Sequence, residues 1–180
     1  MKRRSRQDRA PASGRNRVYE LEACLLSGPV TEEFVRKNPV ISRTIEVRGD
    51  QTLEQLHNAI FRAFDRWDKH MYELRVGGRG PMDRRAERCV PPMAMTDPAG
   101  TRRPAGNVAR VTADALGLEA EQAFGYWFDF GDDWWHQISV VAIHDGPGAG
   151  EYPRVTAKTA DSPPEYPDWD DEDEEEDDEE

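Results

Sequence analysis

The segment FGYWFDFGDDWWHQISVVAI (residues 124–143) limits the possible folds more than any other stretch of the chain. Two runs of aromatic and β-branched residues flank Gly131-Asp132-Asp133, the residue types a tight loop demands, so the segment reads as an antiparallel hairpin. With a three-residue loop, Phe130 faces Trp134, Phe128 faces His136, Tyr126 faces Ile138 and Phe124 faces Val140, all on one side. The opposite side carries Asp129, Trp135, Trp127, Gln137, Gly125 and Ser139. The first side must be the core side, because a slip of one residue would bury Asp129 and Gln137. His136 is therefore expected inward, among aromatics.

A hairpin needs further strands and a packing layer, and the pattern supplies both. VYELEACLL (18–26) and VISRTIEV (40–47) alternate as half-buried strands, and the second puts Ile41, Arg43, Ile45 and Val47 on one side. Between them Thr31 caps a short helix with Glu32 and Glu33 in its first turn and Arg36 and Lys37 in its last, an order that complements the helix dipole. TLEQLHNAIFRAFDRW (52–67) is the principal helix. Thr52 and Gln55 form a capping box, and Leu53, Leu56, Ile60, Ala63, Phe64 and Trp67 make one apolar stripe. HMYELRV (70–76) is a further strand. Residues 79–110 read as a long Arg-, Pro- and Gly-rich loop with one short strand near 89–95. The expected fold is α+β: an antiparallel sheet with the helix at 52–67 on one face and the aromatic hairpin at 124–143.

Charge sets the boundaries. The chain of 180 residues has a net charge of −12, but residues 1–17 hold seven basic residues against Asp8, and residues 168–180 hold twelve acidic residues and no basic one. A disordered basic arm (1–17), one domain (18–167) and a disordered acidic tail (168–180) follow. No apolar run is long enough to span a bilayer, and no apolar stretch follows the basic start as a secretory signal requires. Cys24 and Cys89 fit no zinc or disulfide spacing. These features point to a cytoplasmic protein with no membrane partner.

Three motifs together resemble one family. They are Thr52, Leu53, Leu56 and His57 on the helix, then Trp67, His70 and Tyr72 at a strand start, then Phe128, Asp129, Phe130, Gly131, Asp132, Trp134 and His136 in the hairpin. In this order they resemble the plasmid pRiA4b ORF-3-like family, with Phe128 in place of the usual tyrosine and NPVISRTI (38–45) in place of a tryptophan-bearing strand. The resemblance implies a compact α+β domain, no established reaction, and labels linking some members to mobile elements.

No catalytic residue or cofactor is assigned from the residues. The Asp129-Phe130-Gly131 triplet lacks every other kinase element. His57, His70 and His136 with Asp132 could converge as a metal site for a hydrolase or nuclease, since imidazole and carboxylate suit zinc, manganese or iron, although no H-x-x-x-H spacing supports it. The competing expectation is structural: each histidine fills a polar niche, while Asp129 and Asp132 tie the loop through backbone bonds. Trp127 and Trp135 form either an exposed binding patch or a face covered by a second layer, from the 77–106 loop or the short N-terminal helix, the covered face being favoured. The basic arm could contact nucleic-acid phosphates, but the acidic remainder disfavours nucleic acid as partner. PPEYP (163–167) is expected to run extended along the domain, anchored by Tyr166. The leading expectation is a non-enzymatic interaction module with an unknown protein partner; a DNA-associated accessory factor of mobile elements is a further alternative.

Overall fold

The computed structural model describes residues 16–96, 103–146 and 148–168. The acidic tail from 169 and nearly all of the basic arm lie outside these residues. The elements in chain order are β1 (Arg17–Ser27), α1 (Glu32–Lys37), β2 (Ser42–Arg48), α2 (Leu53–Ala63), β3 (Tyr72–Val76), β4 (Glu87–Val90), β5 (Gly106–Asn107), β6 (Ala123–Phe128), β7 (Trp134–Asp145) and β8 (Arg154–Thr159). Short 3₁₀ turns occupy Pro92–Thr96 and Asp114–Leu116. The eight strands form one sheet in the order β5-β4-β3-β6-β7-β1-β2-β8. Every neighbour is antiparallel except the short β4–β5 pair. The protein is α+β.

Helix α2 forms where its caps and its stripe agree. The Thr52 side chain accepts from the Gln55 backbone, and the Gln55 side chain accepts from the Thr52 backbone. Leu53, Leu56, Ala59, Ile60 and Ala63 are buried against the sheet. They meet Tyr19 and Leu21 of β1, Ile45 and Val47 of β2, Leu74 of β3, and Phe124, Tyr126 and Phe128 of β6 in one core. The helix is shorter than the sequence stripe suggests. Phe64 closes it, Asp65 takes a left-handed φ of 55°, and Trp67 leaves the stripe to stand 70% exposed. A left-handed residue redirects the chain, so i+3/i+4 spacing past Phe64 no longer marks a helical face.

Arg43 lies with Ile41, Ile45 and Val47 on the core side of β2, almost fully buried. Its guanidinium donates to the Ala63 carbonyl at the end of α2 (2.7 Å), to the Ser42, Thr159 and Ala160 carbonyls, and to the Ser162 hydroxyl (2.8 Å). One cation thus ties the C-terminus of α2, which carries partial negative charge, to the end of β8 and to the segment that follows.

Strands β6 and β7 pair in a different register from the sequence expectation. Phe128 lies opposite Trp134, Tyr126 opposite His136 and Phe124 opposite Ile138. The connection is five residues, Asp129–Asp133, and Phe130 lies in it rather than in a strand. The difference is two positions, so each side chain keeps its face and His136 remains inward. Asp129 and Asp133 cause it: both have left-handed φ (51° and 55°) and end the strands early. The Asp133 backbone N–H closes the loop onto the Asp129 carbonyl at 2.8 Å.

Candidate binding site at the C-terminal strap

After β8, residues 162–168 cross the exit of α2 as a strap. Ser162 donates to Asp65 Oδ2 (2.8 Å) while accepting from Arg43. Glu165 is the buried anchor: its Oε2 accepts from the backbone N–H groups of Trp67 (3.0 Å) and Asp68 (3.2 Å). Tyr166, the anchor expected from sequence, is half exposed. Its hydroxyl donates to Asp68 Oδ2 (2.8 Å) and sits 3.1 Å from His70 Nε2, while its ring meets Trp67 edge-on at 5.7 Å. The bond to Asp68 pushes the Tyr166 phenol up to about 12 and holds the Asp68 carboxyl below its ordinary range.

The three histidines divide among different surroundings. His57, on α2, lies flat on Tyr72 and has Nδ1 2.8 Å from the Tyr126 hydroxyl. Desolvation lowers its basicity to about 3. His136, on β7, is fully buried between Phe64 (4.7 Å, edge-on) and Tyr126 (5.3 Å). Desolvation, reinforced by the charge of Arg66, also lowers it to about 3. His70 stands half exposed before β3, 3.4 Å from Asp68 Oδ2 and 3.5 Å from Asp129 Oδ2. The Tyr126 ring neighbours both His57 and His136, and Phe128 neighbours His57 and His70. Among the described residues, no three His, Cys, Asp or Glu side chains are grouped so as to hold a metal ion.

The acidic loop is organised by Asp129, whose Oδ1 accepts from the Gly131 (3.1 Å) and Asp132 (3.4 Å) backbones. Asp132 enters this arrangement through its N–H; the second side-chain tie comes from Asp133, which accepts from the Trp127 indole at 2.9 Å. On that outer face Trp127 and Trp135 stack at 4.8 Å and 9°, Phe130 closes on Trp127 at 4.2 Å, and Arg75 lies over both indoles. Trp135 is buried and Trp127 partly so. The loop after β3 covers this part of the face, since a Cβ at Gly125 would collide with the Pro81 carbonyl. Beneath it Glu73, 1% exposed, accepts from Arg75 (2.6 Å) and Arg88 (2.7 Å).

Two open grooves flank α1. One, of about 250 Å³, is lined by Leu25, Leu26, Val30, Val35, Pro39 and Ile41 among others. The other, of about 240 Å³, separates Val30 and Phe34 from Pro164 and Pro167 of the strap. Sequence reading missed Arg66, Glu165 and these grooves. Arg66 reaches the strap at the Pro163 carbonyl and Glu165 reaches the backbone of Trp67 and Asp68, each across almost a hundred positions, and no local spacing marks such contacts.

Cys24 and Cys89 are free thiols. Among the described residues, no helix is long and apolar enough to cross a membrane. No curated protein sequence matches the chain. Among solved structures, a protein of unknown function, MM3350 from Methanosarcina mazei Go1, is similar with a TM-score of 0.59 and 22% identity over 83% of this chain and 73% of that one. That likeness concerns the fold. The family model of the plasmid pRiA4b ORF-3-like proteins matches residues 33–168, from α1 through the strap, and the chain belongs to that family.

Proposed function

We propose that the protein is a non-enzymatic, cytoplasmic protein-interaction module whose docking surface is the groove between the end of β1 and α1. The observation that carries this reading is the exposed aliphatic rim of that groove, whose lining is itself mixed in polarity: Leu26, Val35 and Val40 are about half exposed on adjoining segments. A group of such side chains facing water on adjoining segments fits a surface that a partner covers. The two free thiols suit a reducing compartment, and the acidic tail acts as a solubilising appendage.

Capture of partners by the tagged full chain, followed by reconstitution with each purified partner, tests the reading. Leu26→Asp and Val35→Asp, on exposed positions, are expected to weaken a direct complex about tenfold or more while leaving the fold intact. Metal-dependent ester or phosphodiester turnover that is lost in a His57→Ala chain would instead favour a hydrolase or nuclease. Salt-sensitive DNA binding lost on removing residues 1–17 would favour a DNA-associated accessory factor.

A further inference from the structure

Among the described residues, the buried side-chain nitrogen and oxygen atoms that meet no partner in good hydrogen-bond geometry are Nε and Nη2 of Arg66, Nε1 of Trp134, both ring nitrogens of His136 (on which the Tyr126 backbone still acts) and Oε1 of Glu165. They form one neighbourhood. The Arg66 guanidinium lies over the Trp134 ring at 3.5 Å, its charge acts on His136, and the charge of Glu165 acts on Arg66 in turn. All four side chains are more than nine-tenths buried. An unpaired buried polar atom is destabilising, more so when charged, so six of them gathered together call for a cause.

The identity of the free atoms supplies one. Nε and Nη2 form the lateral edge of the guanidinium, whose two parallel N–H groups grip a carboxylate bidentately. The remaining nitrogen, Nη1, donates to the Pro163 carbonyl at 3.4 Å. The charge of Glu165 acts on Arg66 without an ion pair forming between them; its Oε2 is turned to the Trp67 and Asp68 backbones and its Oε1 meets no donor. The strap fills the site without completing it. It is also undercut: the groove behind Pro164 and Pro167 is open, Tyr166 is half exposed, and Ala160 just upstream adopts a left-handed φ of 59°. For a residue other than glycine that conformation is strained.

We infer that this is an exchangeable carboxylate-recognition site, occupied in cis by Glu165 and in trans by an acidic segment of a partner protein whose carboxylate engages both free N–H groups of Arg66. The inference rests on the interaction reading above and adds the chemistry of the partner. That segment is extended, carries a glutamate or aspartate beside proline or an aromatic residue, and displaces residues 162–168. Trp134 and His136 line the opened site with further hydrogen-bonding groups.

The probe is a fluorescent peptide of sequence Asp-Ser-Pro-Pro-Glu-Tyr-Pro-Asp, matching residues 161–168, titrated by anisotropy against the full chain. The Glu165→Ala chain, freed of its cis carboxylate, is expected to bind at least about tenfold tighter than wild type. Tyr166→Phe removes only a surface hydroxyl and is expected to fall between them. A peptide with glutamine in place of its glutamate loses the gain, as does the chain combining Glu165→Ala with Arg66→Met. Near-UV circular dichroism establishes that each chain is folded. Equal binding of the two peptides, or no binding by folded Glu165→Ala and Tyr166→Phe chains, overturns the inference while the Leu26 and Val35 variants decide the interaction reading separately. Light scattering that reveals a dimer with exchanged straps also overturns it, because the occupant is then a second copy.

Discussion

The imidazole of His57 lies flat against the phenol ring of Tyr72, with ring centres 3.5 Å apart and planes 4° from parallel. The contact holds a titratable ring out of water, as does the aromatic cage of His136.

The pH dependence of stability follows. Both imidazoles are pushed down to about 3 in the folded chain, whereas an unfolded histidine titrates near 6.5. Between these values the unfolded state binds more protons, so stability is full above about pH 6.5 and falls as pH drops towards 3. The slope is at most ~1.4 kcal/mol per pH unit for each histidine. Guanidinium unfolding between pH 7 and 5, where most carboxylates remain ionised, should show this loss. His57→Gln should reduce the slope by about half; an unchanged slope would show that His57 titrates normally.

Replacing Asp129 by Ala removes the acceptor for the Gly131 and Asp132 backbones from a residue with positive φ. The expected loss is about 2 kcal/mol in chemical denaturation. Asp129→Asn retains an acceptor oxygen and tolerates the conformation, so it should recover most of that loss.

Gly125→Ala drives a methyl group into the Pro81 carbonyl. A backbone obstacle cannot rotate away, and the loop must lift, at a cost of about 2–3 kcal/mol. Thermal unfolding gives the magnitude. Increased quenching of tryptophan fluorescence by iodide would report the opened face over Trp127.

Glu73→Ala leaves Arg75 and Arg88 facing an emptied buried position. Breaking such a pair by removing one partner typically costs about 3–5 kcal/mol. A midpoint unchanged in urea unfolding would mean that water already solvates both cations.

The sequence pattern made the core faces readable because they rest on parity and on the 3.6-residue period, which survive small errors in loop length. The β6–β7 faces come out correctly even with the register displaced by two residues. Loop length itself was hidden, since Asp129 and Phe130 fit a strand as well as a turn until backbone φ is known. Trp67 was misplaced for the same reason, one left-handed Asp65 ending the helical spacing. The strap was legible as an extended proline segment, but its anchor was not. In isolation Tyr166 looks like the residue to bury, and Glu165 becomes the buried one only because Trp67 and Asp68 offer it two backbone donors.

The strand order carries a consequence for biosynthesis. β1 is made before the other strands of the sheet, yet it lies between β2 and β7, and β7 begins only at Trp134. The β1–β2 pair therefore waits with an open edge until β7 is made, and the strap arrives after everything it crosses. Long-range pairing of this kind slows folding and exposes nascent chains to misassociation. Shortening the chain before β7 should therefore leave an aggregating fragment rather than a smaller domain.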